Sequence, residues 1–283
     1  MIEDDPNMTR IPQSWEDASP REFRSAVRAG RWTAPTAGVC MGYAQANLAI
    51  LPAKQAMDFL VFANRNPKPC PIIEVLDTGR PEPVYSAPGA DIRTDLPKYR
   101  VYRRGQLEEE RSDIVDLWQD DFVSFLIGCS FSFEKSLLDA GVPVRHIQLG
   151  RNVPMYITNI QCRPAGIFHG PMVVSMRPIP GGAVARAVEV TAAMHAVHGA
   201  PVHVGSPEAI GISDISRPNF GDSAPIYDGE IPVFWACGVT PQAAALAAKP
   251  EIMITHSPGH MFITDVRDRD LLNFMSGLGG PLK

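Results

Sequence analysis

The sequence predicts an α/β fold in which a larger mixed α/β unit contains a smaller inserted α+β two-layer unit. Apolar residues make up 45% of the 283 residues and charged residues 20%, a balance typical of a globular protein with a substantial core. Short apolar runs alternate with helix-like segments along most of the chain. The 27 prolines fall at turns throughout the chain, which indicates many short, rigid loops.

The first half of the chain predicts helices around a buried strand. Ser19 and Glu22 form a capping-box pattern with Pro20 at the first helical position, so a helix begins there. Residues 122–128 fit either a strand or a helix, because periodicity alone does not separate the two. The other predicted elements are helical stretches around 45–65, a strand at 70–77, a loop at 78–98, a helix at 111–121 and a helix from 134 that ends before Gly141.

The composition changes near residue 143, where strand, strand, helix and strand patterns follow one another up to residue 205. We predict a smaller α+β domain over 143–208, inserted into a larger α/β domain formed by 8–142 and 209–283. The larger domain resumes with a strand at 231–237, a helix from about 241 and the segment 251–265. Residues 205–230 form a long loop where the two domains would meet, a favoured position for a cleft.

Charge and cysteine usage exclude several classes of protein. The net charge is −5 and no long Lys/Arg run occurs, so we predict no contact with nucleic acid. No apolar run reaches the roughly 18 residues needed to span a membrane, and the N-terminus lacks the pattern of a signal peptide. Five widely spaced cysteines without a C-x-x-C motif indicate reduced thiols and a cytoplasmic location. Phosphate-binding, dinucleotide-binding and serine-hydrolase motifs are absent from the sequence, so we expect no cofactor.

Three cysteines share one spacing. Each stands five residues before a Gln or Glu that opens a helix-like segment, in the pairs Cys40–Gln45, Cys129–Glu134 and Cys237–Gln242. We interpret them as turn-to-helix junctions of a doubly wound fold. A thiol at a helix N-terminus meets partial positive charge, so its pKa can fall and a thiolate becomes available. Small residues flank Cys129 and Cys237, and we predict these two and Glu134 to be catalytic. The alternative is that each cysteine is a small buried residue.

His256 and His260 are four residues apart in the segment "THSPGHMFITD". Ser-Pro-Gly lies between them, which predicts a turn and not the helix on which two histidines would share one face. We therefore predict that they act as general acid and base and bind no metal. A metal-dependent hydratase that uses both histidines stays an alternative, as does a structural role in which loop hydrogen bonds satisfy them.

Polar side chains in apolar runs and in the long loop are candidates for substrate binding. Arginine suits bidentate capture of a carboxylate, and small residues beside Asp222 allow close approach of a ligand to the backbone. Loop turns and solvent-facing positions are the alternatives for these residues. The predicted substrate-binding residues are Gln45, Asn47, Arg151, Asn159, Asp222 and Gln242.

Five segments together resemble one bacterial family. They are "MGYAQANLAILP", "FLIGCSFSFE", "NVPMYITNIQCRPAGIFHGPMVVSMRP", "PVFWACGVTPQ" and "THSPGHMFITD". They resemble the hydro-lyase family that is also called the D-glutamate cyclase family, over the chain from about residue 10 to its end. The resemblance implies a two-part α/β architecture, a cytoplasmic location, no cofactor and lyase chemistry. In the family, the named cyclase activity is associated with longer relatives that carry a further domain.

The resulting hypothesis is a cofactor-free carbon–oxygen lyase, or hydro-lyase, that acts on a small carboxylate or amino acid. The reaction implied by the resemblance converts D-glutamate to 5-oxo-D-proline and water. It needs a base for the ammonium group, an acid for the departing oxygen and donors for the oxyanion. A small-carboxylate-binding protein without catalysis is the alternative from another class. The sequence leaves open whether the chain forms a homo-oligomer.

Overall fold

The computed structural model describes residues 13–277 and shows helices packed on two antiparallel sheets. The predicted start of the larger domain at residue 8 lies outside these residues. The helices are α1 (Gln13–Glu16), α2 (Pro20–Arg28), α3 (Ala53–Arg65), α4 (Glu134–Asp139), α5 (Arg145–Gln148), α6 (Val184–Ala192), α7 (Thr240–Ala248) and α8 (Leu271–Met275). The strands are β1 (Tyr43–Pro52), β2 (Ile72–Val75), β3 (Tyr99–Arg103), β4 (Gln106–Arg111), β5 (Phe122–Gly128), β6 (Met155–Gln161), β7 (Pro171–Pro180), β8 (His203–Val204), β9 (Glu230–Ala236), β10 (Met253–His256) and β11 (Phe262–Arg267).

The larger sheet has seven strands in the order β2-β5-β1-β10-β3-β4, and β11 also pairs with β1. The smaller sheet has four strands in the order β6-β7-β9-β8. The mixed α/β class with a larger and a smaller layer is confirmed. The doubly wound arrangement is wrong, because the strand pairs of both sheets are antiparallel, whereas a doubly wound sheet is mostly parallel.

Strand β9 joins the smaller sheet although it lies after the long loop at 205–230. It pairs with β7 over seven residues, from Val174↔Ala236 to Pro180↔Glu230. The smaller sheet therefore takes a strand from beyond the span 143–208 predicted for the smaller domain. The division of the chain into those two domains stays a prediction.

Strand β1 corrects the prediction of helical stretches that begin near residue 45. The chain is extended from Tyr43 to Pro52, and helix α3 begins only at Ala53. Nine of the ten residues of β1 are buried, and alternate side chains enter different core clusters: Leu48 and Ile50 enter one, Ala49 and Leu51 the other. A strand buried on both faces lacks the alternation of polar and apolar residues that identifies an exposed strand.

Residues 111–121 also differ from the predicted helix, because Arg111 ends strand β4 and only a short 3₁₀ helix at Val115–Leu117 follows. The Asp113 carboxylate accepts a hydrogen bond from the Val115 N–H at 3.3 Å. Such local side-chain-to-backbone bonds compete with helix formation. Residues 122–128, which fitted either element, form strand β5.

The N-terminal capping box is confirmed in α2. The Ser19 hydroxyl accepts from the Glu22 N–H at 3.3 Å, and the Glu22 carboxylate accepts from the Ser19 N–H at 3.1 Å. Phe23 and Val27 then pack with Ile263 of β11 in one apolar cluster. Within residues 13–277, no helix is long and apolar enough to cross a bilayer.

Candidate active site at two cysteine junctions

Cys129 and Cys237 occupy equivalent positions, one in each sheet. Cys129 follows β5 and precedes the 3₁₀ helix Ser130–Phe133, whereas Cys237 follows β9 and precedes α7. The Phe131 N–H donates to Cys129 Sγ at 3.5 Å, and the Val239 N–H donates to Cys237 Sγ in the same way. Each strand therefore ends in a thiol that faces the first turn of the next helix.

The two thiols lie in one cluster of buried side chains, which also contains Val239 and Met261. Their separation is small enough for charge on Cys237 to raise the pKa of Cys129. Cys40 lies elsewhere, packed with Phe23 and Ile263 against α2. The structure thus brings two of the three predicted junctions together. The third is wrong as a turn-to-helix junction, because Gln45 lies in strand β1 and not at the start of a helix.

Asn47 of β1 lies between the two junctions. Its Nδ2 donates to the carbonyls of Gly128 at 2.8 Å and Ile127 at 3.2 Å. On its other side, a Cβ atom placed on Gly238 would lie 1.9 Å from Nδ2, so the backbone after Cys237 rests directly on this amide. Asn47, predicted to bind substrate, therefore uses its donors at the Cys129 junction and packs against the backbone of the Cys237 junction.

Glu134, five residues after Cys129, is the centre of a buried ion pair. Its Oε1 accepts from Arg177 Nε at 3.1 Å and also from Arg177 Nη2. His146 Nε2 lies 2.9 Å from the same oxygen. The Arg177 guanidinium stacks on the rings of Phe133 at 4.9 Å and Trp235 at 5.5 Å. Residues from β7, α4 and α5 thus meet at one carboxylate.

The charge on Glu134 is maintained despite its burial. Burial alone would raise the pKa of this carboxyl, but attraction to His146 and Arg177 outweighs that effect, and the pKa is lowered. Glu134 Oε2 is buried without a hydrogen-bond partner among residues 13–277. An ionised carboxylate with one free oxygen therefore lies close to Cys129, whose pKa its charge raises.

The expected thiolates are not supported at either junction. Burial raises the pKa of Cys129 well above its ordinary value, and it raises the pKa of Cys237 to about 11. The N–H groups of the following turns lower the pKa of each thiol, but this effect does not offset that of burial. The prediction of lowered thiol pKa values is wrong. Both thiols carry protons, and they can serve as proton donors.

His256 and His260 are neutral imidazoles. Burial lowers the pKa of His256 to about 3, and its Nδ1 accepts from the Leu48 N–H at 3.1 Å. Burial also lowers the pKa of His260, whose Nδ1 lies 3.1 Å from the Pro258 carbonyl. His260 directly precedes Met261, a member of the thiol cluster. A neutral imidazole at this position can accept a proton.

No set of three or more His, Cys, Asp or Glu side chains is arranged to hold a metal ion in the described part of the chain. The two histidines therefore have no third protein ligand there, and the metal-dependent hydratase gains no support from this geometry.

Gln45 and Gln242 use their amides inside the fold. Gln45 Oε1 accepts from the Thr36 hydroxyl at 2.8 Å, and its Nε2 donates to the Thr36 carbonyl at 3.0 Å. Gln242 accepts from the Tyr102 hydroxyl at 3.0 Å and donates to the His256 carbonyl at 2.8 Å. These contacts fix the backbone around the site and occupy the groups that would bind a substrate.

The other predicted substrate-binding residues are exposed. Arg151 donates to the Ser223 carbonyl at 3.4 Å, Asp222 accepts from the Asn152 N–H at 2.8 Å, and Asn159 lies beside Gly211. Their contacts are with loops around β6. Val153 and Phe220 of these loops pack in or against the thiol cluster, whereas the three predicted side chains are exposed.

Sequence reasoning assigned no role to His146 and did not select Asn152 or Arg177. Asn152 donates to the Pro258 carbonyl at 3.1 Å, in the buried turn before His260, and its Oδ1 has no partner within residues 13–277. The only sequence signal for these three residues is that each is a polar residue inside an otherwise apolar segment.

Two protonated thiols lie near an ionised carboxylate, and a neutral imidazole directly precedes a member of their cluster. Groups of this kind are the ones that proton-transferring enzymes use. The D-glutamate cyclase family model matches residues 123–265, which include both thiols, Glu134 and both histidines. The chain belongs to this family, and the resemblance seen in its sequence segments is confirmed.

Curated relatives align over almost their whole length. A protein of Thermoanaerobacter sp. (strain X514), named "Putative hydro-lyase", is 64% identical over 91% of this chain and 97% of its own. Proteins with the same descriptive name from Stutzerimonas stutzeri and Bacillus subtilis are 60% and 59% identical, over 91% and 89% of this chain and 97% and 98% of their own. Among solved structures, a nitrogen repressor-like protein from Methanococcus jannaschii covers 83% of this chain and 91% of its own at 11% identity, with a TM-score of 0.35.

Proposed function

We propose that the protein is a carbon–oxygen lyase that cyclises D-glutamate to 5-oxo-D-proline and water without a cofactor. Membership of the D-glutamate cyclase family and the hydro-lyase names of the relatives support the lyase class. The observation that carries the proposal is the convergence of two protonated thiols, one from each sheet, beside the buried Glu134–Arg177 pair. Proton donors and an acceptor are what this reaction requires from a protein.

The reaction moves two protons from nitrogen to oxygen. The α-ammonium group loses one proton, its nitrogen forms a bond to the γ-carboxyl carbon, and a second N–H proton is lost. One carboxyl oxygen gains both protons, its bond to carbon breaks, and it leaves as water. In the proposal, the thiols of Cys129 and Cys237 each donate one proton to the departing oxygen. His260 accepts the two protons from nitrogen one after the other and returns each to a thiolate, so that all three groups end in their starting states. Holding the amine against the carboxyl supplies a further part of the rate.

Arg177 makes proton donation by the thiols feasible. A thiol that gives up its proton leaves a thiolate in a buried place, which burial alone disfavours. The positive charge of Arg177 lowers the pKa of both Cys129 and Cys237 and so favours each thiolate. Glu134 compensates the arginine in the resting protein.

Proton NMR of the purified chain with D-glutamate, and separately with L-glutamate, tests the proposal. We expect 5-oxoproline from the D isomer only. Cys129→Ala and Cys237→Ala should each lower the rate by about 10²- to 10⁴-fold, the usual contribution of a positioned proton donor. Cys40→Ala is the matched control, because this buried thiol packs in another cluster, and it should keep the rate.

Two results would contradict the proposal. Unchanged rates in both folded cysteine variants would remove the thiols from the mechanism. Saturable binding of D-glutamate without product would favour the small-carboxylate-binding protein, and turnover of a different hydroxy acid would retain the lyase class but replace the substrate.

A further inference from the structure

A cavity of about 670 Å³ is lined by residues other than the two junction cysteines. Helix α4, the turn at 41–42, the segment 193–197 and the segment 267–272 form its walls. Its volume is in the range of small-molecule sites. None of the residues proposed to transfer protons lines it.

The cavity is lined by apolar and by charged residues, and each of the two sets is called a wall. The apolar wall includes Met41, Met194, Val197, Leu271 and Leu272. The charged wall is formed by Lys135, Asp139, Arg267, Asp268 and Arg269. This division suits a ligand with an apolar body and a charged end.

Two cations of the charged wall converge on Gly42. A Cβ atom placed on this residue would lie 3.6 Å from Lys135 Cδ and 3.9 Å from Arg267 Nη1. Both side chains therefore lie close to the backbone of Gly42. Lys135 Nζ contacts Asp139 at 2.8 Å. Arg267 stacks on the Tyr43 ring at 3.8 Å and forms no salt bridge within residues 13–277. Neighbouring positive charges with one negative partner favour a bound anion.

Asp268 adds a buried oxygen to the same wall. Its Oδ1 has no hydrogen-bond partner in the described part of the chain. Burial raises the pKa of this carboxyl to about 7, although the Ser132 hydroxyl and the charges of Arg267 and Lys135 act in the opposite direction. A protonated Asp268 can donate a hydrogen bond to an anion, as an ionised carboxylate cannot.

We propose that this cavity binds a small aliphatic carboxylic acid as its anion. The carboxylate lies between Lys135 and Arg267 and accepts a hydrogen bond from Asp268, while the aliphatic chain packs against Met194 and Leu272. The site is a second carboxylate site, distinct from the one proposed to cyclise D-glutamate.

The cavity is connected to the thiol junction through Ser132. This residue lies in the 3₁₀ helix between Cys129 and Glu134, and its hydroxyl accepts the Gln45 N–H at 2.9 Å. Because the same hydroxyl acts to lower the pKa of Asp268, a ligand that binds Asp268 lies next to the segment that carries Cys129. A ligand here is thus placed to modulate the proposed lyase.

Isothermal titration calorimetry with hexanoate tests the site. The same titration with hexan-1-ol, which carries no charge, tests whether binding needs the carboxylate. We expect saturable hexanoate binding to the full chain and none with the alcohol. Arg267→Gln should weaken hexanoate at least tenfold. Arg186→Gln, an exposed arginine of α6 outside the cavity, should leave the affinity unchanged. No saturable hexanoate binding, or equal affinity in Arg267→Gln and the parent protein, would overturn the proposal.

Cys129→Ala separates this site from the proposed active site. The Cys129→Ala variant should bind hexanoate as tightly as the parent protein does. This result should hold whether or not the parent protein turns over D-glutamate. Loss of hexanoate binding in this variant would place the ligand at the thiols and overturn the cavity assignment.

The affinity should also depend on pH through Asp268. The charged groups that face it are Lys135 and Asp139 from α4 and Arg267 and Arg269 from its own segment, and the lining residues of 193–197 are apolar. Lysines and arginines stay charged between pH 6 and 8, so the affinity for hexanoate should rise up to about tenfold as pH falls across that range. Asp268→Asn should still bind and lose this dependence. An affinity that falls with acidification would contradict the role of Asp268.

Discussion

Glu134 and Arg177 are both fully buried and depend on each other for charge compensation. Glu134→Gln keeps the shape of the side chain but leaves the Arg177 charge buried without its partner. Removing one member of a buried pair costs about 3–5 kcal/mol, so we expect a loss of that size in the free energy of unfolding. Urea denaturation at neutral pH measures it.

Glu251→Gln is the matched control for this change. Glu251 pairs with Lys54 at 2.7 Å, but both side chains are about 60% exposed or more. Exposed pairs contribute between 0 and about 1 kcal/mol, so this variant should stay close to the parent protein. Similar losses in the two variants would show that Glu134 is not the counter-ion on which the buried centre depends.

The same residues show what sequence can and cannot reveal about the site. The five-residue spacing selected Cys129, Cys237 and Glu134, which the structure brings into one neighbourhood. It also selected Cys40, since spacing along the chain carries no information on which junctions meet. Arg177 is 43 residues away from Glu134, and their pairing depends on β7 packing against α4. Such a contact exists only in the folded chain.

At the element scale, the approach of α7 to β1 depends on Gly238. Its missing side chain lets the turn before α7 rest on Asn47, where a Cβ atom would lie 1.9 Å from Nδ2. Gly238→Ala should therefore separate the two elements and lower the free energy of unfolding by about 1–3 kcal/mol or more. Thermal and urea denaturation measure the loss.

Two further variants isolate this cause. Gly182→Ala adds a methyl group in open space, and it should change stability by no more than about 0.5 kcal/mol. In an Asn47→Ala background the collision is absent, so adding Gly238→Ala should cost less than it does in the parent protein. Equal costs in the two backgrounds would refute the steric explanation.

Elements that sequence predicted well are those with strong local signals. The capping box of α2 and the Gly-terminated helix after Glu134 depend on neighbouring residues and appear as expected. Strand β1 was mistaken for a helix because both of its faces are buried, so the polar residues Gln45 and Asn47 lie inside the fold. Antiparallel pairing could not be read from the strand patterns, since it depends on which distant segments meet.

At the scale of the whole molecule, buried titratable groups make stability depend on pH. Burial lowers the pKa of His198 to about 4 and that of His256 to about 3. Between those values and the ordinary 6.5, the unfolded chain binds more protons than the folded one, so stability is lost as pH falls below 6.5. Asp268 acts in the opposite direction, because burial raises its pKa to about 7 and the folded chain keeps a proton that the unfolded chain releases.

The two effects give a quantitative expectation between about pH 5 and 6. There the unfolded chain gains about two protons at His198 and His256 and loses about one at Asp268, and the lowered pKa of His260 adds to the gain. The free energy of unfolding should therefore fall by at least about 1 kcal/mol per pH unit on acidification. Asp268→Asn removes the opposing group and should make the fall steeper by about 1 kcal/mol per pH unit. Asp270→Asn, an exposed neighbour, should follow the parent protein. Urea denaturation at several pH values measures the slopes. Equal slopes in the parent protein and Asp268→Asn would mean that Asp268 does not hold its proton in the folded chain, and the hydrogen bond proposed for the second carboxylate site would then lose its donor.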